Sequence, residues 1–285
     1  LCNMAGLDTI SAGTAIAFAM ECYERGIITR ADTDGIALTW GNDEGMLTML
    51  RKMIQREGLG DLLADGAAWA AKRIGAQAAP YAMTIAGEGL PMCDPRGTPG
   101  WATTYTSDAT PAHHMQGGSA LPEFGMQPQD YVAIPEYDEI DKYDYGSKGS
   151  IAAETVKMMH AVNCSGICAF VPLSFNDLID VLNAITGHGY DYEELLTVGE
   201  RVAILRQAFN LREGVTPADF RLPERVRGNP PLEGGPTAGI TLDVERQNRA
   251  FYRAMGWDPE TGIPAEERIR AMENLEDVYR DLHEA

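Results

Sequence analysis

Two short segments of the 285-residue chain share one form. Asn3-x-x-Gly6-Leu7-Asp8-Thr9 and Asn163-Cys164-Ser165-Gly166-Ile167-Cys168 both read Asn-x-x-Gly-apolar-x. A helix N-terminus with a glycine close by can receive an anion or a polar heterocycle. The Asp8 carboxylate can accept hydrogen bonds from an amino-pyrimidine ring. Asp8, Thr9 and Ser11 can equally be plain helix caps. Two copies of one turn suggest two similar contacts, made to the two halves of one ligand. Cys164 or Cys168 can ligate an iron–sulfur cluster as a thiolate. No C-x-x-C run accompanies them, and two buried thiols at a helix end is the plainer reading.

Two further segments carry chemistry. His113-His114 sits in the run Thr110-Pro111-Ala112-His113-His114. Adjacent histidines point apart on most backbones, so they make a poor chelating pair. One of them can serve as a general acid or base, because its pKa lies near neutral pH. In Asp94-Pro95-Arg96-Gly97, Arg96 can clamp a phosphate or carboxylate, or pair with Asp94 to brace a turn. His160, His188 and His283 stand alone and read as structural. The chain contains no Walker A loop, no G-x-S-x-G elbow, no H-E-x-x-H helix and no glycine-rich dinucleotide turn.

Helices must position these residues. Periodicity predicts helices over Ser11–Gly26, from Asn42 or Asp43 through Glu57, and over Asp61–Ile74. From about Thr84 to Ser150 glycine, proline and tyrosine are frequent and periodicity is weak, as in functional or mobile loops. Within it the acidic run Pro135–Gly146 reads as a surface excursion. Helices resume over Ser150–Val162, Ser174–Thr186, Asp191–Arg212, Asp243–Met255 and Pro264–Leu282. The strand-like runs Tyr81–Ile85 and Val215–Phe220 are too short to build a sheet. The expected fold is all-α, in two helical lobes spanning 1–83 and 84–285.

Composition bounds the function. Lys and Arg total 23 and Asp and Glu total 42, a net charge of -19. That balance excludes sequence-independent nucleic-acid binding and disfavours an anionic membrane surface. Apolar residues at 45% can bury a sizeable core. No apolar run is long enough for a membrane span, and no secretory signal opens the chain. Five scattered cysteines suit a reduced, cytoplasmic setting. Opening on Leu1-Cys2-Asn3, the chain reads as a piece of a longer protein.

Cys2-Asn3-x-x-Gly6-Leu7-Asp8-Thr9-Ile10-Ser11, continuing through Ala19-Met20-Glu21-Cys22-Tyr23-Glu24-Arg25-Gly26, resembles the aldehyde:ferredoxin oxidoreductase family of tungsten enzymes. Further matches follow in the family's order. They include Trp40-Gly41-Asn42, Arg56-Glu57-Gly58, Asp94-Pro95-Arg96-Gly97 and Gly166-Ile167-Cys168. Phe209-Asn210-Leu211-Arg212-Glu213-Gly214, Leu222-Pro223-Glu224-Arg225 and Gly256-Trp257-Asp258 complete the set. The resemblance spans essentially the whole chain.

The resemblance implies that the lobes are the later part of the family's second domain and its third domain. It implies tungstopterin, a bis-pterin tungsten (or molybdenum) group, beside a [4Fe–4S] cluster. Asn3, Asp8 and Thr9 would contact one pterin, and Asn163 and Ile167 the other. Cys168 would be the cluster's fourth cysteine ligand, and His114 the proton-moving residue near the metal. Both leading positions are Asn where better-known members have Asp, so these contacts bring no charge there. The preceding Thr110-Pro111-Ala112-His113 departs from the commoner pattern, so substrate choice is expected to differ. The implied reaction oxidises a small aldehyde to a carboxylic acid, with electrons passed to ferredoxin. The remaining cluster cysteines and the first domain would come from a missing N-terminal region or a separate subunit. A homodimer is compatible with the resemblance. Two alternatives stand beside it: the same cofactor serving acyl-CoA ester reduction, and a non-catalytic helical remnant or split subunit that binds a partner chain.

Overall fold

A computed structural model of the chain describes residues 1–123, 141–169, 171 and 173–283. The described residues form two compact units. The first takes Leu1–Cys93 together with Arg221–Pro230, and the second takes the rest. The division therefore falls ten residues later than position 83, and a short distant segment returns to the first unit. Arg225 explains that return within the unit, since its Nη1 meets both carboxylate oxygens of Glu21 at 2.8 Å.

The first unit opens with α1 (Cys2–Ala5) and α2 (Thr9–Glu24), followed by α3 (Asp43–Gln55), α4 (Leu59–Ala64) and α5 (Ala67–Ile74). Capping sets the starts. The Asp8 carboxylate accepts from Ser11 N at 2.6 Å, and Asn42 Oδ1 accepts from Gly45 N at 3.0 Å. These satisfy N–H groups that a helix leaves without internal partners. The helix expected over Asp61–Ile74 starts earlier and breaks at Asp65-Gly66, where Gly66 takes φ 92°. Small residues then let the helices approach. Ala15, Ala19, Ala70 and Ala71 lie in one core with Ile16, Phe18, Met49 and Leu63. A side chain at Gly60 would overlap the backbone of Lys52, so α4 meets α3 at backbone distance.

A two-stranded antiparallel hairpin, β1 (Thr84–Ile85) and β2 (Glu88–Gly89), completes this unit. Ala86 and Gly87 both take positive φ, 50° and 94°, as a tight two-residue hairpin turn requires. Thr14 Oγ1 donates to Leu90 O at 3.2 Å and fixes the hairpin against α2.

The second unit contains α6 (Gly100–Ser107), α7 (Ala120–Glu123), α8 (Gly149–Ser165), α9 (Phe175–Thr186) and α10 (Tyr192–Arg212). After α11 (Glu224–Arg227) of the first unit come α12 (Val244–Met255), α13 (Glu266–Arg270) and α14 (Glu276–His283). Helix α6 lies inside the stretch expected to be irregular. Every residue from Gly100 to Ser107 is buried, so it shows no polar face for a periodicity argument to find. The helix expected over Pro264–Leu282 is two helices, and Asn274 between them takes φ 62°. Of the acidic run at 135–146, residues 135–140 lie outside the described residues. Within the remainder, Lys142 Nζ donates to Gly97 O and Tyr143 Oη to Arg96 O, both at 3.0 Å, so these residues are anchored.

Helix α8 is the spine of the second unit. Its Ala152, Ala153 and Val156 pack with Ala203 and Ile204 of α10 and Phe251, Tyr252 and Met255 of α12. Its Met158 and Ala161 pack with Phe175, Leu178 and Ile179 of α9 and Leu195 of α10. No helix among the described residues is long and apolar enough to cross a membrane.

Candidate functional site

The two repeated turns have one local geometry. In the first, α1 ends at Gly6 in the left-handed region (φ 69°, ψ 28°). In the second, α8 ends at Gly166, also left-handed (φ 76°, ψ 9°). Only a residue without Cβ adopts this conformation at little cost, so each glycine is dictated by the turn. Each lies three residues after an asparagine that is exposed on the last turn of its helix, Asn3 or Asn163.

The residues after each glycine line a cavity of about 270 Å³ in their own unit. In the first unit Gly6, Leu7 and Asp8 share the wall with Ser11, Thr14, Asp65 and Glu88. The hairpin glycines Gly87 and Gly89 complete it. This wall is rich in acceptors, and the Asp8 carboxylate that caps α2 is part of it. Thr9 is exposed at the first position of α2.

In the second unit Ile167, Cys168 and Ala169 share a wall with His114, Trp101 and Met159. Cys164 and Cys168 are both exposed, which overturns the buried-thiol reading. Cys22 is the buried cysteine, and burial pushes its thiol up to about 11. Among the described residues no group of three or more His, Cys, Asp or Glu could hold a metal ion.

His114 is half-buried, and its ring meets Trp101 edge-on at 6.0 Å between centroids. Burial lowers its pKa below 6.5, and the neighbouring His113 adds to the shift. At neutral pH its imidazole is therefore uncharged and can accept a proton. His113 and His114 do not point apart. Their rings stack 5.9 Å apart, and His113 Nδ1 accepts from Met115 N at 3.2 Å. Arg96 braces its own turn, donating from Nε to Asp94 Oδ1 at 3.0 Å.

A buried polar cluster supports the histidine loop. Asp108 receives Arg206 through two bonds, Nη1 to Oδ2 at 3.1 Å and Nη2 to Oδ1 at 3.0 Å. Arg206 Nη2 also donates to Thr110 Oγ1 at 2.6 Å, and Asn210 Nδ2 to Ala109 O at 2.7 Å. His160 Nε2 lies 3.3 Å from Arg206 Nη1. Burial, reinforced by Arg206, pushes His160 down to about 3, so it stays neutral. Burial pushes the Asp108 carboxyl upward, against the pull of Arg206. Sequence reasoning misses Asp108, Arg206 and Gln116 as members of a site. Arg206 lies 98 residues from Asp108, and only the Asp108-Ala109-Thr110 turn gives a local signal.

Comparison with known proteins places this geometry in a family. The sequence model for aldehyde ferredoxin oxidoreductase, domains 2 & 3, matches residues 1–273. The chain is similar to the tungsten-containing aldehyde ferredoxin oxidoreductase of Pyrococcus furiosus, 33% identical over 270 residues. That match covers 93% of this chain and 43% of the relative. The corresponding protein of Thermococcus kodakarensis is 32% identical over 276 residues, with the same coverages of 93% and 43%. A P. furiosus aliphatic sulfonate oxidoreductase, WOR-like subunit, is 28% identical over 281 residues, covering 94% of this chain and 40% of that one. In fold, the chain is similar to the active site complex BamBC of benzoyl coenzyme A reductase in complex with 1,5 dienoyl-CoA. There the TM-score is 0.67 at 24% identity, covering 95% of this chain and 44% of that one. The chain thus spans about two-fifths of the length of these curated relatives. It belongs to the aldehyde ferredoxin oxidoreductase family of oxidoreductases, as that family's domains 2 and 3.

Proposed function

We propose that the chain forms domains 2 and 3 of a bis-pterin tungsten or molybdenum enzyme that oxidises small aldehydes to carboxylic acids, with ferredoxin as electron acceptor. The observation that carries this reading is the pair of matching turns, each an asparagine followed by a left-handed glycine at a cavity wall.

The first cavity suits a pterin edge. The carboxylates of Asp8, Asp65 and Glu88 and the hydroxyls of Ser11 and Thr14 are acceptors for the amino and ring N–H groups of a pyrimidine. Asn3, Asp8 and Thr9 would hold one pterin, and Asn163 and Ile167 the other. When bound, the metal–pterin group supplies two-electron, oxygen-transfer chemistry that side chains cannot perform.

Oxidation of R-CHO with water gives R-COOH, two protons and two electrons. The neutral His114 imidazole accepts a proton from the oxygen that attacks the carbonyl carbon. Trp101 and His113 hold that ring in place. The wall beside it is mostly apolar, which disfavours water at the reacting carbon.

Cys168 would give a [4Fe–4S] cluster one thiolate. The chain's own described residues do not make a complete cluster site. The other ligands would come from outside this chain.

The test is anaerobic purification of the full-length protein, with metal analysis and viologen reduction by aldehydes. Tungsten or molybdenum with aldehyde-dependent reduction is expected. Reduction of an acyl-CoA ester without aldehyde oxidation would assign the reaction elsewhere. A metal-free, inactive protein would leave a helical subunit without catalysis.

A further inference from the structure

We propose that Asn163 is a positioning residue for His114. Its side-chain amide holds the histidine loop while its Oδ1 remains for a pterin N–H, so that one side chain links cofactor binding to the placement of the proton acceptor. This rests on the aldehyde-oxidising reading above.

The side chain works in two directions. Asn163 Nδ2 donates to Met115 O at 3.4 Å and to Gln116 Oε1 at 3.3 Å. Both acceptors belong to the two residues that follow His114. Asn163 is exposed, and its Oδ1 makes no hydrogen bond among the described residues. A pterin offers amino and ring N–H groups to such an oxygen. Asn3 holds the matching place in the first turn, yet its side chain makes no hydrogen bond among the described residues. The tie to a loop therefore belongs to the second turn and not to the Asn-x-x-Gly form.

The loop needs holding on this side of His114. Ahead of it, Asp108, Ala109 and Thr110 are fixed by Arg206 and Asn210 of α10. Ala112 then takes φ 58°, which a residue with a Cβ adopts only at a cost. Beyond His114, Met115 and Gln116 are held by Asn163 and Arg206 before Gly118 N reaches Thr155 Oγ1 at 2.9 Å.

An amide suits position 163 and a carboxylate does not. Met115 O is a backbone carbonyl and can only accept. Gln116 Oε1 also accepts from Arg206 Nη1 at 3.4 Å. Turning the Gln116 amide round would set its N–H groups against the Arg206 donor. A carboxylate at 163 would bring acceptors to acceptors, while still receiving a pterin N–H. N163D therefore separates the two roles, with each lost donor bond worth about fivefold.

The test uses the full-length protein purified without oxygen. N163D is expected to keep its pterin and metal and to lose kcat for aldehyde oxidation at least about fivefold, with KM within about twofold. Q116L removes one acceptor on the loop's side and should lower kcat in the same way. Adding N163D to Q116L should cost less than N163D costs alone. Amide exchange of residues 112–118, followed by mass spectrometry without substrate, should quicken at least about fivefold in both single variants. An unchanged kcat in N163D would overturn the proposal. So would loss of pterin from N163D, which would give Asn163 to the cofactor alone. Aldehyde oxidation that N163D leaves intact sinks the positioning role and keeps the reaction. Quickened exchange in a protein whose native form oxidises no aldehyde keeps the loop tie and sinks the reaction.

Discussion

The side-chain amide of Asn163 donates to Gln116 Oε1 at 3.3 Å, tying the turn that ends α8 to the loop that carries His114. The same Gln116 oxygen accepts from Arg206 Nη1 at 3.4 Å. Arg206 in turn grips Asp108 and Thr110. The second repeated turn, the histidine loop and α10 are thus one hydrogen-bonded unit. The loop itself is held in a costly shape, because Ala112 takes φ 58° while its N–H donates to Tyr105 O at 3.0 Å.

Removing the Asp108 carboxylate tests this support. D108A leaves the partly buried Arg206 guanidinium without its counter-charge. A loss of about 3 kcal/mol in unfolding free energy is expected, at the lower end for a broken buried pair because Arg206 keeps some solvent. Urea unfolding of the full-length protein measures it. A loss indistinguishable from that of an exposed Asp→Ala control would refute the support role.

Acid should weaken the same region. His160 is held neutral with a pKa near 3, against 6.5 for the free side chain. The unfolded chain therefore binds the extra proton first. The contribution of His160 is complete above about pH 6.5 and is lost as the pH falls toward 3. The stability difference between the native protein and H160Q, taken from melts at pH 7.5 and 5, should shift against the native protein at the lower pH. A pH-independent difference would contradict this.

Close helix packing gives a further prediction. A side chain at Gly199 of α10 would overlap the Lys157 carbonyl of α8. G199A should cost at least about 2 kcal/mol by forcing the two helices apart. It should also displace Asn163, at the end of the same α8. Thermal unfolding checks the first effect and pterin content the second.

Much of this fold is legible in the sequence because caps are local. Asp8, Asn42, Ser174, Asp191 and Asp243 each accept from a backbone N–H at their helix start. The repeated Asn-x-x-Gly form likewise marks two turns of equal geometry. What escapes is set by distant contacts. Helix α6 is buried on every side and lacks an amphipathic stripe. Gly66 and Asn274 divide helices that periodicity alone joins. The buried Lys148–Glu123 pair, 2.6 Å apart, links positions 25 residues apart across the stretch that reads as irregular. The Asp108–Arg206 pair bridges loop and helix over a far longer separation.

Catalysis is expected to depend on a neutral His114. With its pKa lowered by burial, kcat/KM should fall only below pH 6.5, as the imidazole gains its proton. H114A should reduce kcat by about 10²- to 10⁴-fold and abolish that acid limb, with metal content unchanged. An unchanged pH profile in H114A would assign the proton to another group.

The two Asn-x-x-Gly turns are expected to contact the two pterins of a bis-pterin enzyme. The most direct test is the pterin and metal content of the full-length protein, purified without oxygen, beside that of N163A and D8A variants. Two pterins and one tungsten or molybdenum per native chain are expected, with pterin lost from each variant. D8A is expected to lose only about 1 kcal/mol of stability with its helix cap, so the folded protein remains measurable. A native protein without pterin, or variants that retain the full complement, would contradict that expectation.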